Sequence, residues 1–460
     1  MLIDSHAHLD MPQFNKDIDE VINRAEKKGV KYIITVSSDY QSNFRGIELS
    51  KKFNALYTTV GIHPHDTKDV NNKIYNELIA LANQEKVVAW GEIGLDYYRN
   101  YSPKKTQQRE FKRQLNIAKD LNLPLVVHNR EAETDILSIL KKEYRSEKGG
   151  VIHCFSGDKK LASEFLNLGF YISIAGPITY KNSNKLQEVV KEIATERLLV
   201  ETDCPFLTPE PMRGKRNEPS FVNYTAQKIA ELKGLSLDDI SRITTLNIYN
   251  LFGIGQKDQK GKITYNIRNS LYINVTNKCT NECIFCTRNT NPYVKGHNLR
   301  LTKDPTIDEI WRSIGNPTPY KEIVFCGYGE PTLRLDVIKA VAKRLKEKGV
   351  QARLRLNTNG QGNLIHKRNI LPELKGLIDS ISISLNAENS QKYFKLCHPQ
   401  FRDGTYEEIK KFVIESKKYI PKVNVTVVDI PSEINIKECE KVAKKELGVP
   451  LRKRFYNVVG

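Results

Sequence analysis

Two groups of residues with metal-binding chemistry lie in different halves of the sequence. Near the start, the segment LIDSHAHLD carries His6 and His8, one residue apart. In the second half, CTNECIFC places Cys279, Cys283 and Cys286 in the spacing C-x3-C-x2-C. Imidazoles combined with carboxylates suit divalent ions such as zinc, manganese or magnesium, whereas closely spaced thiolates suit iron–sulfur clusters. The sequence therefore predicts two different metal centres.

The elements that must position the histidines have the order of a parallel barrel. In residues 1–252, eight short apolar runs, from MLIDSHAH to LLVETDCP, alternate with amphipathic helical segments such as FKRQLNIAKDLN. Eight strands that are each followed by a helix predict an α/β fold of the (β/α)8 TIM-barrel class, with the helices outside. The active site of such a barrel lies at the C-terminal ends of its strands.

Polar side chains occur at these predicted strand ends. Because alternate residues of a strand point to the same side, His6 and His8 can face one ion. Glu92 can bridge two ions, and such a pair can act together in a displacement at phosphorus. A single histidine at a strand end is more often structural, but convergence of several on one rim favours metal binding. The predicted rim residues are His6, His8, His63, Glu92, His128, His153 and Asp203.

The first half of the chain resembles the TatD family of metal-dependent hydrolases in the amidohydrolase superfamily. The resemblance rests on LIDSHAHLD, GIHPHD, GEIGLDYYR, LPLVVHNREA, IHCFSG and LLVETDCPFL, which stand in the family's order. It implies phosphodiester hydrolysis by a deoxyribonuclease, usually an exonuclease, with deacylation of tRNA esters as the alternative. It also implies two divalent metal ions, of zinc, manganese or magnesium type, held by His6, His8, Glu92, His128, His153 and Asp203.

The catalytic roles are predicted on chemical grounds. Asp203 is expected to take a proton from the attacking water. His63 and His65, from GIHPH, are expected to orient the phosphate or to protonate the leaving oxygen. Arg130 can bind phosphate oxygens through its planar guanidinium, although a helix cap or a surface ion pair would also explain this residue. The predicted catalytic residues are Asp203, His63 and Glu92, with Arg130 and His65 at the substrate phosphate.

A second fold is predicted after a linker. GIGQKDQKGK interrupts the hydrophobic periodicity, and residues 253–267 are predicted to link two domains, 1–252 and 268–460. Six apolar runs between residues 271 and 459 are separated by helical segments such as LDVIKAVAKRLKEKG. They predict a partial, open (β/α)6 barrel. CTNECIFC follows the first of these strands.

Three thiolates can hold three irons of a [4Fe–4S] cluster and leave the fourth iron without a protein ligand. The structural alternative, zinc, normally needs four ligands, and no fourth Cys or His occurs at ordinary finger spacing. The second half resembles the radical S-adenosylmethionine (SAM) superfamily through this cysteine spacing and through GYGEP at 327–331. The resemblance implies one [4Fe–4S] cluster, S-adenosyl-L-methionine as cofactor, and a 5′-deoxyadenosyl radical that acts on an unidentified substrate.

The same resemblance implies an electron donor such as a flavodoxin or a ferredoxin, and it assigns SAM contacts. Tyr328 replaces the usual middle glycine of the glycine-rich motif, and Asn359 competes with the pair Ser384 and Asn386 for the ribose hydroxyls. The predicted SAM contacts are Gly327, Gly329 and Glu330 at the methionine end, and Ser384 and Asn386 at the ribose.

Composition indicates which kinds of binding partner and which cellular location to expect. The chain of 460 residues has 72 Lys and Arg against 54 Asp and Glu, a formal charge of +18, which favours nucleic acid as a partner. The resemblance to the TatD family makes DNA the favoured nucleic acid. Clustered cysteines in a long chain favour reduced thiols and a cytoplasmic location. No apolar run of about 18 residues is present, so no membrane partner is expected. The sequence predicts a bifunctional enzyme; the alternative makes one barrel a binding module for the other.

Overall fold

The computed structural model describes residues 1–144, 147–430 and 432–455. The chain divides into two compact units, Met1–Lys257 and Asp258–Gly460. In the first unit, eight strands pair side by side in sequence order, and each consecutive pair is parallel. The strands are β1 Leu2–Ala7, β2 Val30–Thr35, β3 Leu56–Val60, β4 Val87–Asp96, β5 Leu125–Arg130, β6 Gly150–Ile152, β7 Tyr171–Ile174 and β8 Leu198–Val200.

Backbone hydrogen bonds close this sheet into a barrel. The amide of His8 donates to the Cys204 carbonyl at 2.8 Å, and the amide of Asp203 donates to the His6 carbonyl at 2.9 Å. The segment after β8 therefore pairs in parallel with β1, through a bridge between Ala7 and Cys204. The predicted (β/α)8 barrel is confirmed.

The helices of the first unit begin at local signals in the sequence. Asp39 and Ser42 form a capping box at the start of α2, as Ser236 and Asp239 do at the start of α9. The helices cover strands that are buried on both faces, as every residue of β1 and β4 shows. The helices are α1 Ile18–Lys27, α2 Tyr40–Lys52, α3 Asn72–Ala82, α4 Lys104–Asp120, α5 Glu133–Glu143, α6 Lys159–Asn167, α7 Asn184–Glu192, α8 Val222–Lys233 and α9 Leu237–Phe252.

The second unit is built on a seven-stranded sheet. Its six parallel strands appear in the predicted order, which confirms the open α/β class, and its edge strand β9 is antiparallel to β10. A two-stranded hairpin, β11 with β12, lies outside this sheet. The strands are β9 Thr264–Ile267, β10 Ser270–Asn274, β11 Tyr293–Val294, β12 His297–Asn298, β13 Glu322–Cys326, β14 Arg353–Thr358, β15 Ser380–Ser384, β16 Lys422–Asp429 and β17 Leu451–Phe455.

Helices pack on one face of this sheet, where Ile273, Phe325, Leu356, Ile383 and Val427 are buried together. In α10, Thr306 and Glu309 form the N-terminal capping box. The helices are α10 Ile307–Ile314, α11 Leu335–Glu347, α12 Gly362–His366, α13 Leu371–Leu374, α14 Ser390–Cys397, α15 Thr405–Ser416 and α16 Ile436–Lys441. Across the described ranges of the chain, no helix combines the length and apolar character needed to cross a bilayer.

Two ends of the second unit differ from the sequence prediction. Strand β9 lies inside the segment 253–267, for which a linker was predicted, and it is joined to β10 by a two-residue turn. Its four residues are too few to produce a clear apolar alternation. The predicted last strand, 452–459, is observed as β17, and residues 456–460 lie outside the described part of the chain.

Gly94 provides a test of the packing between β4 and β5. Its φ is +144°, and a Cβ atom placed on it would lie 2.0 Å from the backbone carbonyl oxygen of His128. We expect Gly94→Ala to lower the free energy of unfolding of the first unit by about 2–4 kcal/mol, because backbone cannot move aside as a side chain can. Trp90, which is fully buried, reports unfolding in urea by fluorescence once Trp311 is replaced by Phe.

Gly29→Ala is the matched control. Gly29 also has a positive φ, +81°, but nothing lies within 4 Å of a Cβ placed there. Its replacement is expected to cost about 1 kcal/mol from backbone conformation alone. Equal losses in the two variants would contradict the close approach of β4 to β5.

Candidate functional site

The rim residues of the first barrel converge on Glu92, whose side chain is almost fully buried, with 2% of its surface exposed. Its Oε2 atom lies 3.4 Å from His6 Nε2 and 3.8 Å from His8 Nε2. Its Oε1 atom lies 2.7 Å from both His128 Nδ1 and His153 Nε2. The two oxygens of one carboxylate therefore face two different groups of imidazoles.

Asp203 completes the first group. Its Oδ1 atom lies 3.3 Å from His8 Nε2 and 3.7 Å from His6 Nε2, and the two Nε2 atoms are 3.3 Å apart. His8 Nδ1 lies 2.8 Å from the Val36 carbonyl, which can only accept, so the imidazole donates from Nδ1. When the ring loses its second proton, the lone pair of Nε2 faces Asp203 and His6, as a metal ligand requires.

His63 lies beside the second group, and its Nδ1 atom accepts a hydrogen bond where that of His8 donates one. The amide of His65 donates to His63 Nδ1 at 3.2 Å, so the proton of a neutral His63 is on Nε2, 3.5 Å from Glu92 Oε1. Burial and the neighbouring His128 lower the pKa of His63 well below its ordinary value, which keeps the ring neutral. His63 can therefore donate a hydrogen bond into the site.

Two carboxylates of this site are absent from the sequence prediction. Asp96 Oδ2 lies 3.0 Å from His65 Nε2 and 3.1 Å from His128 Nε2. Glu201 Oε1 accepts a hydrogen bond from the Cys154 amide at 2.6 Å and lies 3.7 Å from His153 Nδ1. A signal exists for Asp96, because it stands at even spacing from Glu92 within β4, and alternation places such residues on one side. Glu201 lies beyond the end of β8, where alternation gives no such signal.

The electrostatics of the group suit a divalent cation. Burial opposes the charge of Glu92, but the surrounding imidazoles, His153 first, hold its pKa well below the usual range. Burial also opposes protonation of His8, yet the Asp203 and Glu92 carboxylates raise its pKa to about 9. A proton held in this way by buried carboxylates is what a divalent ion displaces when it binds. The donor set therefore fits metal ions.

The predicted phosphate contacts lie at the edge of the group. Arg130, at the end of β5, places its guanidinium 4.0 Å from the centroid of the Tyr98 ring. His65 contacts the Tyr101 ring at 4.8 Å between centroids. His65 is joined to the group through Asp96, and Arg130 follows the His128 of that group by two residues at the end of β5.

In the second unit, the three cysteines of CTNECIFC border a cavity of about 420 Å3. All three are free thiols and partly exposed. The structure brings the predicted SAM contacts to the walls of the same cavity: Gly327, Gly329, Glu330, Ser384 and Asn386.

The GYGEP segment is held against the cysteine loop by its backbone. The amides of Gly329 and Glu330 donate to the carbonyls of Thr276 and Lys278 at 2.9 and 2.7 Å. A Cβ on Gly329 would lie 1.9 Å from the Lys278 oxygen, so glycine is required there. The Tyr328 hydroxyl, which replaces the expected glycine, lies 3.3 Å from the carbonyls after Cys286, at Thr287 and Asn291. Tyr328 therefore supports the cysteine loop through the carbonyls that follow Cys286.

The carboxylate of Glu330 is engaged with neighbouring protein groups. It accepts hydrogen bonds from the Thr358 hydroxyl at 2.6 Å, the Asn359 amide at 2.6 Å and the Thr332 amide at 3.0 Å. Burial raises its pKa, and these hydrogen bonds oppose that rise. Glu330 borders the cavity from a fixed position.

The cavity also contains unsatisfied polar atoms that fit a cofactor. Asn386 Oδ1 and Asn357 Oδ1 are buried and accept no hydrogen bond from any described residue. Asn359, in contrast, donates to the Thr280 hydroxyl and accepts from the Gln361 amide. Asn357, which was not predicted, therefore offers an unengaged acceptor to the cavity, whereas both polar ends of the Asn359 amide are engaged. Buried acceptors of this kind call for hydroxyl or amino donors.

The cysteine loop is docked on residues distant in sequence. The amides of Glu282 and Ile284 donate to the carbonyls of Cys397 and Leu396, both at 3.0 Å, at the end of α14. Arg288 donates to the Asn277 and Asn281 carbonyls at 3.0 and 2.8 Å. These contacts hold the loop that carries the three thiols.

Known proteins match the two units separately. The profile of the TatD-related DNase family matches residues 3–253, and that of the Radical SAM superfamily matches residues 273–445. YabD of Bacillus subtilis, an uncharacterised metal-dependent hydrolase, is 46% identical over 254 residues, which are 55% of this chain and 100% of the relative. The 3′-5′ ssDNA/RNA exonuclease TatD of Citrobacter koseri is 33% identical over 258 residues, 55% of this chain and 99% of the relative.

A solved structure agrees with these matches. That of YJJV, a TatD homologue from Escherichia coli K12, is 31% identical and has a TM-score of 0.53, over 55% of this chain and 98% of that protein. The barrel, the residues gathered at its rim and the family profile point to the same conclusion. The chain belongs, through its first unit, to the TatD-related DNases, a family of metal-dependent hydrolases, and its second unit is a radical SAM domain.

Proposed function

We propose that the first unit cleaves phosphodiester bonds of nucleic acid, as an exonuclease with DNA as the favoured substrate. The observation that carries this proposal is the position of Glu92, whose two oxygens face different groups of ligand atoms. A pair of ions held in this way suits displacement at phosphorus. The name of the Citrobacter relative and the formal charge of +18 support a nucleic acid substrate.

The proposed ligands divide between two divalent ions of zinc, manganese or magnesium type, with Glu92 shared. When bound, the ions supply Lewis-acid stabilisation of charge on the phosphoryl oxygens and make water more acidic. One ion would be held by His6, His8, Glu92 and Asp203, and the other by Glu92, His128 and His153.

The chain's own groups would move the protons and orient the substrate. Burial raises the pKa of Asp203, but hydrogen bonding to His8 and the charge of His6 bring it below its usual value. Asp203 is therefore ionised at neutral pH and can accept the proton of the attacking water. His63 would donate from Nε2 to a phosphate oxygen, and Arg130 with His65 would bind the phosphate from the rim.

We infer that the second unit binds a [4Fe–4S] cluster through Cys279, Cys283 and Cys286, with SAM in the adjoining cavity. Bound together and supplied with an electron by a flavodoxin or a ferredoxin, they would furnish a 5′-deoxyadenosyl radical for an unidentified substrate. All eight cysteines are free, which supports a reducing, cytoplasmic setting. The proposed SAM contacts are Gly327, Gly329 and Glu330 at the methionine end, and Ser384 and Asn386 at the ribose.

The first test addresses Asp203 as the base. In the full chain with bound divalent ions, Asp203→Asn should lower kcat on single-stranded DNA by about 10²- to 10⁴-fold, because the amide cannot take the proton. Turnover and metal content are measured on the same preparation. The control, Asp238→Asn, changes an exposed residue in the first turn of α9 and should keep normal turnover. Normal turnover of Asp203→Asn with metals bound would show that another group is the base.

The second test addresses Glu92 as the shared ligand. Glu92→Gln removes a negative charge and one donor oxygen, so binding should weaken at both ions, and metal per chain should fall from about two ions to one or fewer. Metal analysis after dialysis measures this. Glu110→Gln is the control, since Glu110 is a buried glutamate of the same barrel that bonds to Tyr75. Retention of both ions with unchanged affinity in Glu92→Gln would exclude a bridging role.

The third test addresses the cluster. Replacement of Cys279, Cys283 or Cys286 by alanine should each reduce iron after anaerobic reconstitution from about four atoms per chain to a trace, because each thiolate holds one iron. Iron analysis and the visible absorption of the cluster are the measurements. Cys439→Ala, at a buried cysteine of α16, is the control and should retain iron. A cluster that forms at full yield without one of the three thiols would contradict the assignment.

A further inference from the structure

The positive charge of the chain is concentrated in its second unit. Met1–Lys257 carries 36 Lys and Arg against 33 Asp and Glu, a formal charge of +3, whereas Asp258–Gly460 carries 36 against 21, a formal charge of +15. An excess of this size raises the affinity of a domain for polyanions and speeds their association. The unit that carries the cysteine loop therefore has the electrostatic character of a domain that binds nucleic acid.

Two exposed arginines of the edge strand β17 bring this charge to the cavity. Arg454 lines the cavity, as Arg288 of the cysteine loop does. Arg452 stands two residues before Arg454 in the same strand, so alternation places both on one side of β17. Both residues are exposed. Among the residues that the structure describes, no carboxylate forms an ion pair with either guanidinium.

Lysines on the helices of the same unit are bound differently. Lys343 of α11 lies 3.9 Å from the carboxylate of Glu347. Lys411 of α15 lies 2.7 Å from that of Glu408. Pairs of this spacing offset each other's charge along a helix. The two arginines of β17 instead offer unpaired charge beside the cavity, and a planar guanidinium can bind two oxygens of one phosphate.

The size and the walls of the cavity restrict what can enter it. Its volume of about 420 Å3 is that of a pocket for a small ligand, and the proposed SAM contacts already belong to its walls. A polymer can therefore place only one of its units inside, while its backbone stays at the opening. Two partly exposed rings, Tyr272 and Phe285, line the cavity. Aromatic rings combined with a basic surface are typical of sites for nucleic acid.

We propose that the radical unit acts on nucleic acid, with Arg452 and Arg454 binding phosphates of a strand that lies across the opening of the cavity while one nucleotide enters it. The proposal rests on the radical SAM function inferred above. The step transfers one hydrogen atom: a C–H bond of the nucleotide breaks, the new C–H bond of 5′-deoxyadenosine forms, and the unpaired electron remains on the nucleotide. Both units of the chain would then act on the same class of polymer.

The first test measures binding by the full chain without cofactors, in EDTA, so that no strand is cleaved. Short fluorescein-labelled single strands of RNA and of DNA are titrated at several salt concentrations and followed by fluorescence anisotropy. The double variant Arg452→Ala with Arg454→Ala should bind about 10-fold more weakly at low salt, and its slope of log K against log salt should be shallower by about 1.4, since each phosphate contact of a single strand contributes about 0.7.

The double variant Lys343→Ala with Lys411→Ala is the matched control. It also removes two positive charges from the second unit, and the two side chains are each 72% exposed. It should leave the affinity and the salt slope unchanged. An equal loss in the two double variants would show that only total charge matters, and it would contradict a strand bound at β17.

The second test identifies the source of the hydrogen atom. The anaerobically reconstituted chain is incubated with SAM, dithionite and deuterated RNA, DNA or protein, each prepared from source cells that lack this gene and were grown in D2O. Mass spectrometry should find deuterium in 5′-deoxyadenosine with RNA or with DNA, and not with protein. The arginine double variant should lower the labelled fraction in proportion to its loss of binding.

Three results would overturn the proposal. Deuterium from protein alone, or from none of the three fractions, would exclude nucleic acid as the substrate. A loss of 5′-deoxyadenosine in the arginine variant with reduced flavodoxin, but not with dithionite, would assign the arginines to docking of the electron donor. Absence of 5′-deoxyadenosine from the unaltered chain with its cluster bound would refute the radical SAM function itself, and the anisotropy test would still decide whether β17 binds a strand.

Discussion

The first barrel is organised around a buried negative charge. Glu92 is almost completely shielded from water, and an ionised carboxylate in such a place is costly unless partners compensate it. The partners are imidazoles, at 2.7 Å from His128 and His153 and at 3.4 Å from His6. Because these come from the ends of β1 and β5 and the segment after β6, the compensation exists only when the barrel is closed. The closed barrel and the candidate metal centre therefore depend on each other.

In the second unit, the loop that carries the three cysteines also depends on contacts from segments distant in sequence. Three thiols within eight residues cannot hold their own geometry, since a short loop has few internal hydrogen bonds. The missing contacts come from the backbone carbonyls at the end of α14, from the GYGEP segment and from the Arg288 guanidinium. Tyr328 belongs to this support, which explains why a bulky residue is accepted where the related motif has glycine: its hydroxyl reaches carbonyls that follow Cys286.

Much of the fold was predictable because its signals are local. Apolar runs and the amphipathic segments between them lie within short stretches, and they predicted eight strands in the first unit and six parallel strands in the second. Strand β9 was missed because four residues carry too little periodicity. Asp96 was missed although alternation from Glu92 indicated it, because its two histidine partners lie elsewhere in the chain, His65 in the turn after β3 and His128 in β5.

The sequence by itself determined the residue types at the strand ends, their common side of each strand, and the cysteine spacing, because each of these depends on neighbours along the chain. Only the tertiary structure decided which oxygen of Glu92 faces which imidazoles, and that Asn357 rather than Asn359 offers a free oxygen to the cavity. The physical reason is hydrogen-bond satisfaction. Whether a polar atom is free or engaged depends on groups from other strands, and those meet it only when the chain has folded.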